Sequence, residues 1–183
     1  MDVANPPVSA GASRPSRHPL AVSLTIAWTL LLAYFFANVE IQIEGAAGWA
    51  ANLPTWRIER HWLLDLFWGG RAMTGYHAWI FPCVALFFHF PLVFGGYWNW
   101  RAQARVIACI MLFWITEDFL WFVLNPAYGL ERFAPEHIPW HIHWWAGAPV
   151  DYWISLGAAA MLVWLSCRRA RVRCRAIDPA RSV

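Results

Sequence analysis

The sequence predicts an all-α integral membrane protein, a bundle of four transmembrane helices with both termini in the cytoplasm. Apolar residues make up 60% of the 183 residues and charged residues only 14%, whereas about a quarter of an ordinary soluble domain is charged. The chain also contains 15 Trp and 12 Phe, which is more apolar surface than a globule of this length can bury in water. The third observation is that four apolar runs are each long enough to cross a bilayer.

The first of these runs covers residues 20–39. Residues 1–19, which precede it, are rich in Pro, Ser, Ala and Gly and predict a disordered tail. A run of about 20 apolar residues is longer than the core of a typical signal peptide, and no small-residue cleavage site follows it. We therefore expect a retained membrane anchor.

Two helices are predicted next, one short and one spanning. Residues 60–68 mix Trp and other apolar side chains with polar ones, which is typical of a helix that lies at the level of the lipid headgroups. The second span is expected at residues 74–94. It contains Pro82 and Pro91, and we expect a kinked helix whose freed carbonyls are satisfied by neighbouring groups.

The third span is expected at residues 106–124 and the fourth at residues 150–167, where several small side chains would let another helix approach closely. Residues 125–149, between these spans, are rich in Pro, His and aromatic side chains and predict an irregular outer loop. A basic cytoplasmic tail follows at residues 168–183. The chain thus divides into one transmembrane domain, residues 20–167, and two tails.

The distribution of charge predicts the orientation. All 14 basic residues are Arg, and with cytoplasmic termini only four of them fall on the outer side, which leaves ten on the inner side, as the positive-inside rule requires. The four are Arg57, Arg60, Arg71 and Arg132. We expect a multi-pass protein of a bacterial cytoplasmic (inner) membrane. On this topology most acidic residues and His lie in the outer half, and such a face suits cations.

Glu117 and Asp118 are the predicted catalytic residues, because they lie inside the third apolar run. An ionised acid near the centre of a membrane helix costs about 2.5–3.5 kcal/mol, so something must offset that cost. A bound metal, an Arg such as Arg71, protonation of one carboxyl or a wet cavity would do so. The competing interpretation is structural: a buried acid can simply bond a neighbouring indole or hydroxyl.

The second group of candidates is a cluster of three histidines in the outer loop. His137, His141 and His143 lie within seven residues. A helix would bring the first two together, and an extended segment would bring the last two together. Two imidazoles in either geometry suit a divalent metal or a heme iron. Alternatively, the three rings are solvated at the membrane interface.

Three further residues complete the predicted metal site. His77 lies near the outer end of the second span, level with Asp118. His61 and Asp65 are spaced i, i+4 on the short helix, as ligands or as a His oriented by a carboxylate, although a surface pair would have the same spacing. We thus expect a site for Zn, Fe or Cu from some of the following residues: His77, His137, His141, His143, Glu117, Asp118, His61 and Asp65.

These residues lead to three functional hypotheses. The first is a metal-dependent membrane enzyme that acts on a lipophilic substrate, with Glu117 or Asp118 as proton acceptor. The second is a b-type cytochrome in which His77 or His89 and one loop His bind heme. The third is a non-catalytic assembly or accessory subunit of a larger membrane complex. As partners we expect the lipid bilayer and either a homo-oligomer or a larger membrane complex. We expect no nucleic acid, because the Arg-rich tail directly follows a span.

Overall fold

The computed structural model of the protein describes residues 18–68 and 70–168. Residues 1–17 and 169–183, which form most of the two predicted tails, lie outside the described residues. The elements, in chain order, are the following: helix α1 (His18–Glu44), strand β1 (Arg57–Ile58), helix α2 (Trp62–Trp68), strand β2 (Met73–Thr74), helix α3 (Gly75–Phe94), helix α4 (Trp100–Leu124), a 3-10 turn (Leu130–Arg132), strands β3 (Trp144–Trp145) and β4 (Ala148–Pro149), and helix α5 (Val150–Cys167).

Four of these helices, α1, α3, α4 and α5, are long and apolar enough to cross a membrane. The predicted count of four spanning helices is therefore confirmed. Two of the helices extend further than the apolar runs do, since α1 continues to Glu44 and α4 already begins at Trp100. The early start of α4 has a local cause: the Asn99 side chain accepts hydrogen bonds from the backbone N–H groups of Arg101 and Ala102 and so caps the helix.

Helix α4 is the centre of the bundle. It packs closely against α1 and α5 and less extensively against α3. In its most apolar window 39% of the residues are buried, compared with 11–17% in the other three spans. Small side chains make the close packing possible, because Ala33 and Ala37 of α1 and Ala159 of α5 are completely buried. Helices in lipid associate largely through such close contacts, since burial from water supplies no drive.

The long connections end in short antiparallel strand pairs. Strand β1 pairs with β2, so the segment after α1 is tied to the start of α3. Strands β3 and β4 form a hairpin with only Ala146 and Gly147 between them. Both residues have positive φ, at 47° and 79°, as a two-residue type I′ turn requires. The hairpin returns the outer loop to the first residue of α5, where the Val150 N–H donates to the His143 carbonyl.

A short helix forms in the segment where the sequence predicts one. It is α2, and it begins after His61, whose Nδ1 accepts a hydrogen bond from the backbone N–H of Leu63. Its location at headgroup level stays a prediction. Helix α3 continues through Pro82 and Pro91.

Replacing Phe122 by Ala tests the packing around α4. Phe122 is completely buried in a cluster with Ala37, Ile41, Trp121 and Ile138. We expect the substitution to lower the free energy of unfolding by about 3–5 kcal/mol, because it leaves a cavity in the core. The matched control is Phe94→Ala, since the side chain of Phe94 is 82% exposed. Unfolding in detergent measures both variants, and equal losses of stability would contradict the packing described here.

Candidate active site

A cavity of about 270 Å³ lies at the end of the bundle where α1 and α4 end and α3 and α5 begin. We call it the acidic cavity, because five acidic residues line it: Glu40, Glu44, Glu117, Asp118 and Asp151. The remaining wall is largely aromatic and includes Trp49, Phe81, Trp114, Trp121 and Trp140. A dense group of carboxyls among aromatic rings, inside a bundle of apolar helices, needs specific partners to be tolerated.

Two of the acids, Glu40 and Glu117, come from different helices. Glu40 lies on α1 and Glu117 on α4, and both line the acidic cavity. Glu40 accepts a hydrogen bond from the Tyr76 hydroxyl at 2.7 Å. The residues Glu40 and Glu117 are only 7% and 3% exposed, so both carboxyls are almost completely removed from water.

Asp118 has different partners, because adjacent helical residues point about 100° apart. Its Oδ2 lies 2.9 Å from Nε2 of His141 and accepts a hydrogen bond from the Tyr152 hydroxyl. These contacts join α4 to the outer loop and to α5. Asp118 is therefore held by α5 and by the outer loop.

His141 also contacts an ion pair on its other ring nitrogen. Its Nδ1 lies 3.4 Å from Oδ1 of Asp151 and 2.6 Å from Nη2 of Arg71. Arg71 also forms an ion pair with Asp151, and its Nε donates to the Trp140 carbonyl at 2.7 Å. The β3–β4 hairpin contributes to this arrangement, because it brings the segment before β3, which contains His141, beside the start of α5, which contains Asp151.

His77 lines another part of the wall. Its ring stacks on Trp49, with the ring centroids 4.1 Å apart, and its Nδ1 lies 2.7 Å from Oγ1 of Thr74. Thr74 caps α3 by accepting a hydrogen bond from the His77 backbone N–H. Thr74 thus caps the start of α3 and also orients the imidazole of His77.

The segment between α1 and α3 supplies the contacts of Glu44. The backbone N–H of Ala50 donates to Glu44 at 2.5 Å, while the carbonyl of the same residue accepts a hydrogen bond from Arg57. Asn125 connects this segment to the end of α4, since its side chain donates to the Gly45 carbonyl at 2.7 Å. The sequence predicts Asn125 as a helix terminator, and it occupies that position at the end of α4.

The structure brings together four of the eight predicted ligands. His77, Glu117, Asp118 and His141 line the acidic cavity. The other four are exposed and do not line it: His61, Asp65, His137 and His143.

Several site residues are absent from the predicted set. Glu40 and Glu44 are the most important, and the sequence does contain a pattern that identifies them. Both lie on the face of α1 that carries the buried small residues Ala33 and Ala37, at helical spacing. Asp151, interpreted from sequence only as a favourable acid at a helix start, pairs with Arg71.

The polar contacts of the candidate ligands bear on metal and heme binding. Across residues 18–68 and 70–168, no three His, Cys, Asp or Glu side chains are arranged to hold one ion. Both ring nitrogens of His141 already contact polar partners. The same holds for His89, which contacts the Ala85 carbonyl and the Gln103 amide. A metal or heme iron would have to displace one of these contacts, because it needs a free nitrogen lone pair.

No protein family matches the chain, and no curated protein or solved structure is significantly similar to it.

The charge state of His141 predicts a dependence of stability on pH. Burial lowers the pKa of His141, but Asp118 and Asp151 oppose it and the net pKa lies above the ordinary value of 6.5. Arg71 lowers this pKa as well, without reversing the shift. A group whose pKa is raised by folding stabilises the folded state below its unfolded pKa, and this contribution is lost as the pH rises through the folded pKa.

We therefore expect the unfolding temperature in detergent to fall as the pH is raised from mildly acidic through the folded pKa of His141. His141→Gln should flatten that part of the profile, because Gln retains hydrogen bonding without titrating. His143→Gln, two residues away and exposed, is the matched control and should leave the profile unchanged. Identical profiles for all three proteins would contradict the assignment of His141 as a protonated partner of the carboxylates.

Proposed function

We propose that the protein is a membrane-embedded enzyme that transfers a proton to and from a lipophilic substrate in the acidic cavity. The observation that carries this proposal is that two buried carboxyls from different helices, Glu40 and Glu117, line one cavity and are only 7% and 3% exposed. A buried carboxyl that holds a proton beside a second carboxyl can both give up and receive a proton. Such a reaction balances without a co-reactant, because each proton donated is later recovered.

In this proposal Glu117 exchanges the proton with the substrate, and Glu40 is the residue with which Glu117 shares it. Asp118 acts as a fixed anion, held by His141 and Tyr152. Its charge and the faces of neighbouring aromatic rings would stabilise positive charge that develops on a protonated substrate. Arg71 and Asp151 position His141 and do not act on the substrate.

The proposed substrate is lipophilic because of where the cavity lies. The helices around it present apolar side chains outward, including Leu86 and Phe94 of α3, which are 74% and 82% exposed, as a lipid-facing surface requires. Below the acids, the cavity is lined by Ile110, Met111 and Trp114. A molecule that enters from the bilayer would meet this apolar part and the carboxyls together.

We infer further that the chain lies in a bacterial cytoplasmic membrane with the acidic cavity toward the outer leaflet. Most Arg residues lie in the segments at the opposite end of the bundle from the acidic cavity. By the positive-inside rule, that end faces the cytoplasm. A phosphatase fused within the outer loop should then be active only outside the cytoplasm.

Deuterium exchange tests the proposed reaction without knowledge of the substrate. The purified protein is incubated in D₂O with a lipid extract of its source cells, and the lipids are returned to H₂O before mass spectrometry. The return removes deuterium from hydroxyl and amine groups, so label that persists is bound to carbon. With the wild type, we expect at least one lipid to gain such label. With Glu117→Gln, the gain should be at least 90% smaller, which is roughly a tenfold loss of exchange.

The matched control is Glu131→Gln, because Glu131 is an exposed glutamate in the 3-10 turn. It should label the lipid as the wild type does. The proposal is wrong if no lipid gains carbon-bound deuterium, or if Glu117→Gln labels the lipid to the same extent as the wild type.

A divalent metal is the second candidate, favoured by the convergence of His77, Glu117, Asp118 and His141 on one cavity. Elemental analysis of the purified wild type, His141→Ala and Asp118→Asn separates the two accounts. About one equivalent of Zn, Fe or Cu in the wild type, lost in both variants, would replace metal-free proton transfer by metal-assisted chemistry.

A further inference from the structure

Two polar atoms near the acidic cavity lack partners. Among the residues that the structure describes, Oε1 of Glu117 and Nε1 of Trp121 are buried without a hydrogen-bond partner. Both residues line the acidic cavity. They are one turn apart on α4, so their side chains share a helix face. A buried polar atom without a partner costs about 1–3 kcal/mol, and two such atoms beside one cavity indicate a missing ligand group.

The chemistry of the two atoms restricts what that group is. When the shared proton is on Glu40, the carboxylate oxygen of Glu117 only accepts a hydrogen bond, whereas an indole N–H can only donate one. The missing group must therefore donate to Glu117 and accept from Trp121. A hydroxyl does both with one oxygen atom. An ammonium group has no lone pair for Trp121, and an ether oxygen has no hydrogen for Glu117.

The shape of the cavity indicates what the hydroxyl is attached to. Its lining extends along α4 from Ile110 to Phe122, which is about 18 Å at 1.5 Å per residue. Glu117 and Trp121 lie toward one end of this stretch, while Ile110, Met111 and Trp114 line the other. The cavity thus offers a polar end and an apolar end, as an amphiphile with a hydroxyl head and a hydrocarbon tail requires.

We propose that the acidic cavity binds a lipophilic alcohol, whose hydroxyl donates to Glu117 and accepts from Trp121. This inference names the substrate class for the proton transfer proposed above. The role of the alcohol as a substrate rests on that proposed function, whereas its binding does not require turnover. Water is the other source of a hydroxyl-type partner, since a cavity of 270 Å³ has room for several waters at about 30 Å³ each. The experiment must therefore separate a bound alcohol from water alone.

A series of head groups on a constant tail makes this separation. The full chain is placed in phosphatidylcholine nanodiscs with tritiated farnesol, and four unlabelled competitors are compared: farnesol, its methyl ether, farnesylamine and the hydrocarbon farnesene. The series is repeated on a hexadecyl tail, so that the result does not depend on tail shape. We expect the alcohol to compete roughly fivefold to tenfold more strongly than the ether or the hydrocarbon, as one or two hydrogen bonds predict.

Matched substitutions in the same wall assign the preference to its residues. Trp121→Phe removes the indole N–H and retains an aromatic ring, so the preference for alcohol over hydrocarbon should fall about fivefold. Trp114→Phe is the control, because Trp114 also lines the cavity and receives the identical change. The Trp114→Phe variant should show the same alcohol preference as the wild type. Binding of the hydrocarbon reports whether either variant still forms the cavity.

Each result either supports or overturns the inference. Equal competition by all four head groups on both tails would mean that water alone occupies the polar end. Stronger competition by the amine, insensitive to Trp121→Phe, would mean a cation site. Both results overturn the inference while leaving the deuterium experiment free to succeed. Conversely, a clear alcohol preference without deuterium transfer would leave the binding site standing and remove the proposed enzyme activity.

Discussion

The pairing of buried carboxyl groups is the interaction on which the rest of this molecule depends. Five acids line one cavity in a bundle of apolar helices, where an unpaired charge would cost several kcal/mol. The pairings cross between elements: Asp118 to His141 joins α4 to the outer loop, and Asp151 to Arg71 joins α5 to the segment before β2. Because every partner is supplied by a different part of the chain, the groups that make the cavity polar also hold its walls together.

This arrangement gives α4 two roles that reinforce each other. It is the central helix because small side chains of α1 and α5 pack against it, and the same close packing brings their polar residues within reach of Glu117 and Asp118. Loss of either partner would leave a charge in a medium of low dielectric, which is far more costly than loss of a surface ion pair. Stability and the proposed proton transfer therefore depend on the same contacts, and a variant that alters one is expected to alter the other.

The sequence predicts much of the fold and part of the site, for identifiable reasons. The four spans follow from hydropathy, which misses residues 100–105 of α4 because Arg101 and Arg105 lie among them. Glu117 and Asp118 stand out because charge inside an apolar run is costly. Glu40 and Glu44 do not, since they follow the predicted end of the first run, and only the face shared with Ala33 and Ala37 identifies them. Of the three loop histidines, only one turns inward, and the two-residue hairpin after them contributes to this choice by folding the loop back onto α5. The spacing of the histidines in the sequence does not predict this choice.

The central claim is that the Glu40–Glu117 pair holds a proton inside the bundle, and infrared spectroscopy tests it most directly. The carbonyl stretch of a protonated carboxyl is separate from that of a carboxylate, so the band can be followed in purified protein at neutral pH. We predict that the wild type shows this band and that Glu40→Gln and Glu117→Gln each change its position or intensity, while Glu131→Gln leaves it unchanged. A wild-type spectrum without the band, or a band that neither substitution changes, would contradict the account.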